Sequence, residues 1–347
     1  MAERASVAVI GCGGVASYAH LPALAKMDNV RIVGLCDIDP DRAAGKSECY
    51  GAAPYTDYDQ MLAELRPQRV HVLTPDAVHV EPALAALAAG ADVLVEKPLA
   101  TTVDDCRKLV AAAGSQVLGV GYNYRFIPVM QKARQVVGDG GIGDLIGLTC
   151  FCHSFCWHHC LDLARWLAGP IVRVRAQEGR RWSEQPDAPL PAVPSHHPTV
   201  MGGFPMIAAV ALEHSHGAIS QIVTTSQMDL ADVMFEMRLI GTHGWLRIDQ
   251  VAIEDVVGRL RKFSASSAEE SLNAPIESRG ELVEFFPSTS GGFTISFDAS
   301  IRAFHQAADS RTAAPISAAQ AMEIVAVEEA ARQSAEEARA VAPGEIN

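Results

Sequence analysis

Residues 152–167 read CHSFCWHHCLDLARWL, and three cysteines and three histidines fall in the first nine positions. Thiolate and imidazole are the donors that hold zinc, but four of them must converge on one point. On a helix starting near Cys156, that residue, His159 and Cys160 have i, i+3, i+4 spacing, with Cys152 of the preceding strand as a fourth donor. No CxxC pair is present, and Cys150 with Cys152 merely share one face of a strand. Cysteine is also among the most buried residue types with no chemistry attached. Nothing in the sequence singles out one thiol as an activated nucleophile. The expectation is therefore no metal, with Cys160 facing the core. The same helix puts His158, Asp162 and Arg165 on one face and His159, Leu163 and Trp166 on the next. His159 and Asp162 can then reach one cleft.

A second group of residues points to dinucleotide binding. Gly11, Cys12, Gly13, Gly14, Val15 and Ala16 fit GxGxxA, at the end of the apolar run SVAVIG (6–11) and the start of the helical stretch VASYAHLPALAKM (15–27). The first glycine allows the tight turn, the second lets backbone amides approach a pyrophosphate, and a small third residue lets the helix pack on the sheet. An acidic residue is then needed about 20 positions on to hold ribose hydroxyls. Asp37 is that residue, at the end of RIVGLCD (31–37). Its carboxylate would repel the extra phosphate of NADP, so NAD is expected. Arg42 could swing over the adenine ribose, which keeps NADP open.

These residues need elements to position them. The first third alternates short apolar runs with helical stretches, the pattern of βαβ units and a parallel sheet. RVHVLTP (69–75), ADVLVEKP (91–98) and QVLGVGYN (116–123) are further strands, and EPALAALAAG (81–90) is a helix. From about residue 124 the texture changes. IGDLIGLTCFCHS (142–154) enters a strand, and 206–227 and 233–249 each read as two strands joined by a tight turn. Such pairs predict an antiparallel sheet in a second domain. Residues 183–203 carry five prolines and no periodicity, a loop or flap, and 317–341 is a long amphipathic helix.

Bulk properties narrow the partners. A chain of 347 residues favours two domains, and its 49% hydrophobic and 20% charged residues are ordinary for a globular protein. A net charge of −13 argues against nucleic acid and anionic membranes, which demand clustered Lys and Arg. No apolar run reaches the roughly 18 residues that span a bilayer. The start, MAERAS, lacks a signal-peptide layout. A cytoplasmic location is expected, with the eight cysteines reduced.

With the glycine fingerprint in place, TPDAVH (74–79), VLVEKPLA (93–100) and GVGYNYRFIP (119–128) together resemble the Gfo/Idh/MocA oxidoreductase family. The EKP tripeptide is the most specific of these. The likeness continues through GIGDLIGL (141–148), HCLDLARWLAG (159–169), the HGAIS and GTHGWL turns and the tail helix, thinning over 172–205 and 255–290. The resemblance implies an α/β protein. Residues 1–123 would form a Rossmann domain with a doubly wound parallel sheet. Residues 124–347 would form an α/β domain with a large, mainly antiparallel open sheet that takes the substrate and joins subunits into a homodimer or homotetramer. It implies hydride transfer between nicotinamide and a secondary alcohol or ketone of a sugar, cyclitol or related biosynthetic intermediate.

The resemblance also assigns roles. Lys97 matches a lysine near the reacting hydroxyl, His159 a proton shuttle, and Asp162 a polar contact near the substrate. Elementary chemistry agrees: an imidazole suits the hydroxyl proton, and a nearby ammonium stabilises charge developing on oxygen. Glu96 is placed to hold the lysine. Thr74, Pro75 and His79 follow a strand end and are expected near the cofactor, and Asn123 and Arg125, after the last Rossmann strand, are expected as cofactor or substrate contacts or as hinge residues. One departure stands out, because Phe155 occupies the place of the family's aspartate four residues before the histidine. The strand-to-helix connection there is also short. The expected consequences are a more open site with 183–203 as its lid, and proton handling by Lys97 and His159, alone or with His158, His196 or His197. Phe155 also favours a second reading, a nucleotide-binding regulator of the same fold. A third is an enzyme whose NAD cycles internally to give net elimination or hydrolysis. His20, His71, His243 and His305 are expected as packed or turn residues.

Overall fold

A computed structural model of the chain describes residues 4–179, 207–226, 234–251, 258–264, 281–286 and 294–346. The segment 183–203, with His196 and His197, lies outside the described residues. The chain forms two compact units. One holds everything described up to Phe126 together with Thr294–Ala326, the other the described parts of Ile127–Phe293 and Val327–Ile346.

Six parallel strands organise the first unit. β1 (Ala5–Ile10), β2 (Val30–Cys36), β3 (Ala53–Tyr55), β4 (Arg69–Val72), β5 (Asp92–Val95) and β6 (Leu118–Val120) lie in the order β3-β2-β1-β4-β5-β6. This is the doubly wound Rossmann order, which places a ligand crevice beyond the carboxyl ends of β1 and β4, where the winding reverses. β4 and β5 are buried at every position, as strands covered on both faces must be. In β4, RVHV, that burial takes in Arg69 and His71. A π-helical turn, Ala16–His20, leads into α1 (Leu21–Ala25). Helices α2 (Pro40–Tyr50), α3 (Tyr58–Leu65), α4 (Val80–Ala88) and α5 (Val103–Ala113) complete the βαβ crossovers. Asp39 caps α2 by accepting from the N–H groups of Asp41 at 3.1 Å and Arg42 at 3.2 Å, which fixes where Arg42 starts.

The second unit opens with α6 (Pro128–Gly138) and is built on one sheet of eight strands. These are β7 (Leu145–His153), β8 (Ile171–Gly179), β9 (Ile207–His214), β10 (Ile219–Thr225), β11 (Phe235–Gly241), β12 (Gly244–Val251), β13 (Gly258–Ser264) and β14 (Glu281–Phe286). Their order is β14-β13-β12-β11-β7-β10-β9-β8, antiparallel throughout except for the β7–β10 pair. The mainly antiparallel sheet expected from the hairpin turns is therefore present, with one parallel seam at its centre. α7 (Trp157–Ala168) follows β7 after only the short turn Ser154–Cys156, and packs against β7 and β10. At its far end Arg134 of α6 donates to the Leu167 carbonyl at 3.3 Å and lies 5.7 Å from the Trp166 ring. α8 (Thr294–Ser310) belongs to the first unit, and α9 (Ala318–Glu337) contributes to both. Among the described residues no helix is long and apolar enough to cross a membrane.

Candidate active site

The glycine turn sits at the carboxyl end of β1, and its glycines do different work. Gly11 has φ +96°, and a Cβ there would lie 2.7 Å from the backbone carbonyl of Leu73. Only glycine allows β1 to pass the end of β4 so closely. A Cβ at Gly13 or Gly14 would meet nothing within 4 Å, so this side of the turn is open to a ligand. Val15 begins the helical run and Ala16 is fully buried, as tight helix–sheet packing requires. Cys12 faces inward, and burial, with Asp37 beside it, pushes its thiol up to about 12, so it is inert.

Asp37 stands at the carboxyl end of β2, buried, and joins the glycine turn to α2. Its Oδ2 accepts from the Cys12 N–H at 2.8 Å and its Oδ1 from the Asp39 N–H at 3.0 Å. The Arg42 guanidinium lies 3.5 Å from Asp37 and 3.4 Å from Asp39, which commits it to two carboxylates. Asp37 keeps acceptor capacity on Oδ1, enough for a ribose hydroxyl.

At the end of β4, Thr74 and Pro75 lead into the turn Asp76–Val78, and the Thr74 hydroxyl meets His79 Nδ1 at 3.1 Å. Burial, reinforced by the nearby Lys97 ammonium, outweighs Glu96 and Asp76 and pushes His79 down to about 4. Its imidazole is neutral at physiological pH. Nε2 is buried without a hydrogen-bond partner among the described residues. Such an orphan costs about 1–3 kcal/mol unless a bound group satisfies it.

Glu96 and Lys97 follow β5. Glu96 Oε2 accepts from the Lys97 N–H at 3.1 Å, and a Cβ on Gly121 would lie 2.8 Å from Glu96 Oε1, so the carboxylate needs a glycine opposite it. Burial pushes Glu96 up, but the hydrogen bond from His20 and the Lys97 ammonium outweigh it and hold the carboxyl below its ordinary value. After β6, Asn123 donates to Ser296 Oγ at 2.7 Å, leaving its buried Oδ1 unpartnered among the described residues. Arg125, also buried, donates to Gln320 at 3.3 Å, so it ties the end of the sheet to α9.

The second unit carries His159 and Asp162 on α7, both buried. His158, one position earlier, lies 3.0 Å from Glu328 of α9 and is engaged there. Half-buried Phe155 occupies the connecting turn, with its N–H donated to His153 Nδ1 at 3.0 Å. Cys160 faces the sheet as expected. Its sulfur and those of Cys150 and Cys152 lie within 4.8 Å of one another, a grouping that keeps Cys152 and Cys160 of the four donors weighed from sequence and replaces Cys156 and His159 with Cys150. Burial, with hydrogen bonds to the other two thiols, raises the Cys160 thiol well above its ordinary value. Hydrogen bonds from Cys150 and Cys160 hold the Cys152 thiol well below its ordinary value, and the three sulfurs fill the layer between α7 and β7. As thiolates they would carry three negative charges into a dry core, a large desolvation cost.

The histidines expected only as packing residues are the main feature that sequence reasoning missed. Glu96 Oε1 lies 3.0 Å from His20 Nε2, and His20 Nδ1 lies 2.9 Å from His71 Nδ1. His71 Nε2 is 3.0 Å from His305 Nε2, and His305 Nδ1 is 2.8 Å from an Arg69 nitrogen. Arg69 ends the line in an ion pair with Asp309 on α8. No spacing rule connects positions 20, 71, 96 and 305. The one available signal was the polar Arg69 and His71 on one face of a strand that reads as central.

A parallel sheet with an open glycine turn, an acid after the second strand and a lysine after the fifth defines a dinucleotide-binding oxidoreductase fold. The chain belongs to the Gfo/Idh/MocA family: residues 5–124 match its NAD-binding Rossmann fold and 156–342 its C-terminal alpha/beta domain. It is similar to inositol 2-dehydrogenase 2 of Saccharopolyspora erythraea, 31% identical over 195 residues that cover 51% of this chain and 58% of that protein. It is 33% identical to D-glucoside 3-dehydrogenase of Escherichia coli over 146 residues, 41% of this chain and 42% of the other. The chain thus spans about half the length of the curated relatives it matches. An oxidoreductase from Agrobacterium radiobacter, solved with NAD+, L-tartaric acid and magnesium, shares the fold at TM-score 0.79 and 20% identity, over 99% of this chain and 100% of that one.

Proposed function

We propose that the chain is an NAD-dependent dehydrogenase or reductase acting on a secondary alcohol or ketone of a sugar, a cyclitol or a related biosynthetic intermediate. The observation that carries this reading is the convergence of Gly13, Asp37, His79, Glu96 and Lys97 beyond the carboxyl ends of β1, β2, β4 and β5. The open space at Gly13 and Gly14 fits a pyrophosphate, and the orphaned His79 Nε2 fits a bound polar group. NAD, when bound, supplies the hydride acceptor. Backbone amides of Gly13 to Ala16 hold its phosphates and Asp37 accepts its ribose hydroxyls. NAD is preferred over NADP because Arg42 is already committed to Asp37 and Asp39. Thr74, Pro75, Asn123 and Arg125 shape that side of the unit.

In this reading the Lys97 ammonium donates to the carbinol oxygen and stabilises the negative charge developing there. The His159 imidazole takes the hydroxyl proton as the C–H bond breaks, and Asp162 orients a neighbouring hydroxyl. Names of relatives such as inositol 2-dehydrogenase and D-glucoside 3-dehydrogenase support a polyhydroxylated substrate. We place the activity in the cytoplasm, where close thiols such as Cys150, Cys152 and Cys160 stay reduced. Subunits pair through the exposed face of the eight-stranded sheet into a homodimer or homotetramer.

Absorbance at 340 nm with a panel of cyclitols and sugars tests this reading. Net NADH formation is expected. Lys97→Met and His159→Ala should each lower turnover about 100-fold or more, with NAD affinity kept. Unchanged turnover in both variants would remove the mechanism. A transient without net NADH would favour internal recycling. Binding without any redox change would favour a regulator, the reading that Phe155 supports.

A further inference from the structure

The line Arg69–His305–His71–His20–Glu96 has a polarity that chemistry alone determines. Arg69 can only donate, and an ionised carboxylate can only accept. Between them lie three imidazoles whose six ring nitrogens are all used. Four links need four hydrogens, one from arginine and one from each neutral imidazole. Only one arrangement satisfies this. Arg69 donates to His305 Nδ1, His305 Nε2–H to His71 Nε2, His71 Nδ1–H to His20 Nδ1, and His20 Nε2–H to Glu96 Oε1. A proton carried on Glu96 Oε1 and donated to His20 would reverse every link and leave His305 Nδ1–H facing the arginine N–H groups. An imidazolium at any of the three positions forces the same clash. The line is therefore closed as a proton path.

We propose that Arg69, His305, His71 and His20 are positioning residues: a one-way hydrogen-bonded line that holds Glu96 as an ionised, oriented carboxylate beside Lys97. The inference deepens the proposed function, because it rests on Lys97 being the group that contacts substrate. The other charged or titratable groups near the line are Tyr18 and His79 close to Glu96, and Asp309 at the arginine end. Burial holds His71 well below its ordinary value and His305 down to about 3, as an all-neutral line requires. Held in this way, Glu96 presents an oriented negative charge to the neighbouring Lys97 ammonium, the group that donates to the carbinol oxygen.

The test is long-range proton–nitrogen correlation on the full chain with NAD, labelled with 15N-histidine and assigned by single His→Gln variants. The proposal predicts Nε2–H for His20, Nδ1–H for His71 and Nε2–H for His305, with no imidazolium at His71 or His305 down to about pH 5.5. Any other tautomer order, or an imidazolium at His71 or His305 in that range, overturns it. The carboxyl 13C signal of Glu96 is followed in parallel. Arg69→Met should raise the Glu96 protonation constant about tenfold or more, and Arg69→Lys, which keeps a donor-only cation, should restore it. An unchanged constant in a folded Arg69→Met protein overturns the proposal. Should that variant not fold, the wild-type tautomers decide. If Lys97→Met retains turnover while the tautomers are as stated, the functional reading fails and the line stands.

Discussion

At the scale of single residues, the two key glycines separate fold from ligand. Gly11→Ala forces a Cβ against the Leu73 backbone at φ +96°, and should cost about 3 kcal/mol, read from the urea midpoint. Gly13→Ala meets no atom within 4 Å. Its midpoint should match wild type while NAD affinity falls about tenfold by calorimetry. The opposite pattern would mean that the open side of the turn is not where the dinucleotide binds. Sequence showed that this glycine turn exists, because its pattern is local. It could not show which glycine serves which purpose, since Leu73 arrives from a strand 62 residues further on. The same limit hid the histidine line. Each link joins residues far apart in sequence, and the β1–β4 and β4–β5 pairings with the return of α8 bring them together.

At the scale of elements, the sheet of the second unit has one face covered by α7 and one face exposed. Ile219 of β10 and Ile240 of β11 flank Gly147 of β7, and Trp245 of β12 lies beyond Ile240. Ile219 is 58% and Ile240 38% exposed, and Phe151 on the same face is 40% exposed. A row of this kind across four strands fits a subunit contact better than a solvated face. Light scattering should give a mass two or four times the 37.0 kDa of one chain, falling to one chain for Ile219→Glu with Ile240→Glu. A wild-type monomer would contradict the contact. Hairpin turns at HGAIS and GTHGWL made these strands legible, because short turns with glycine in or beside them fix the pairing of the strands they join. Strand β8 and the helix α8 escaped, lying in stretches whose apolar spacing carries no such punctuation.

At the scale of the whole molecule, a parallel sheet followed by a mainly antiparallel one was readable from the change in texture near residue 124. The alternation of βαβ units and the succession of hairpins obey different connection rules, which is why the change could be seen. What pattern could not supply was the C-terminal return, in which Thr294–Ala326 rejoins the first unit. That return brings His305 and Asp309 to Arg69, and so completes the support for Glu96. The most direct measurement is a crystal structure of the NAD complex. The account predicts phosphates on the backbone amides that follow Gly13, ribose hydroxyls on Asp37, and nicotinamide beside Lys97 and His79. A dinucleotide bound elsewhere, or with its nicotinamide turned away from Lys97, would contradict it.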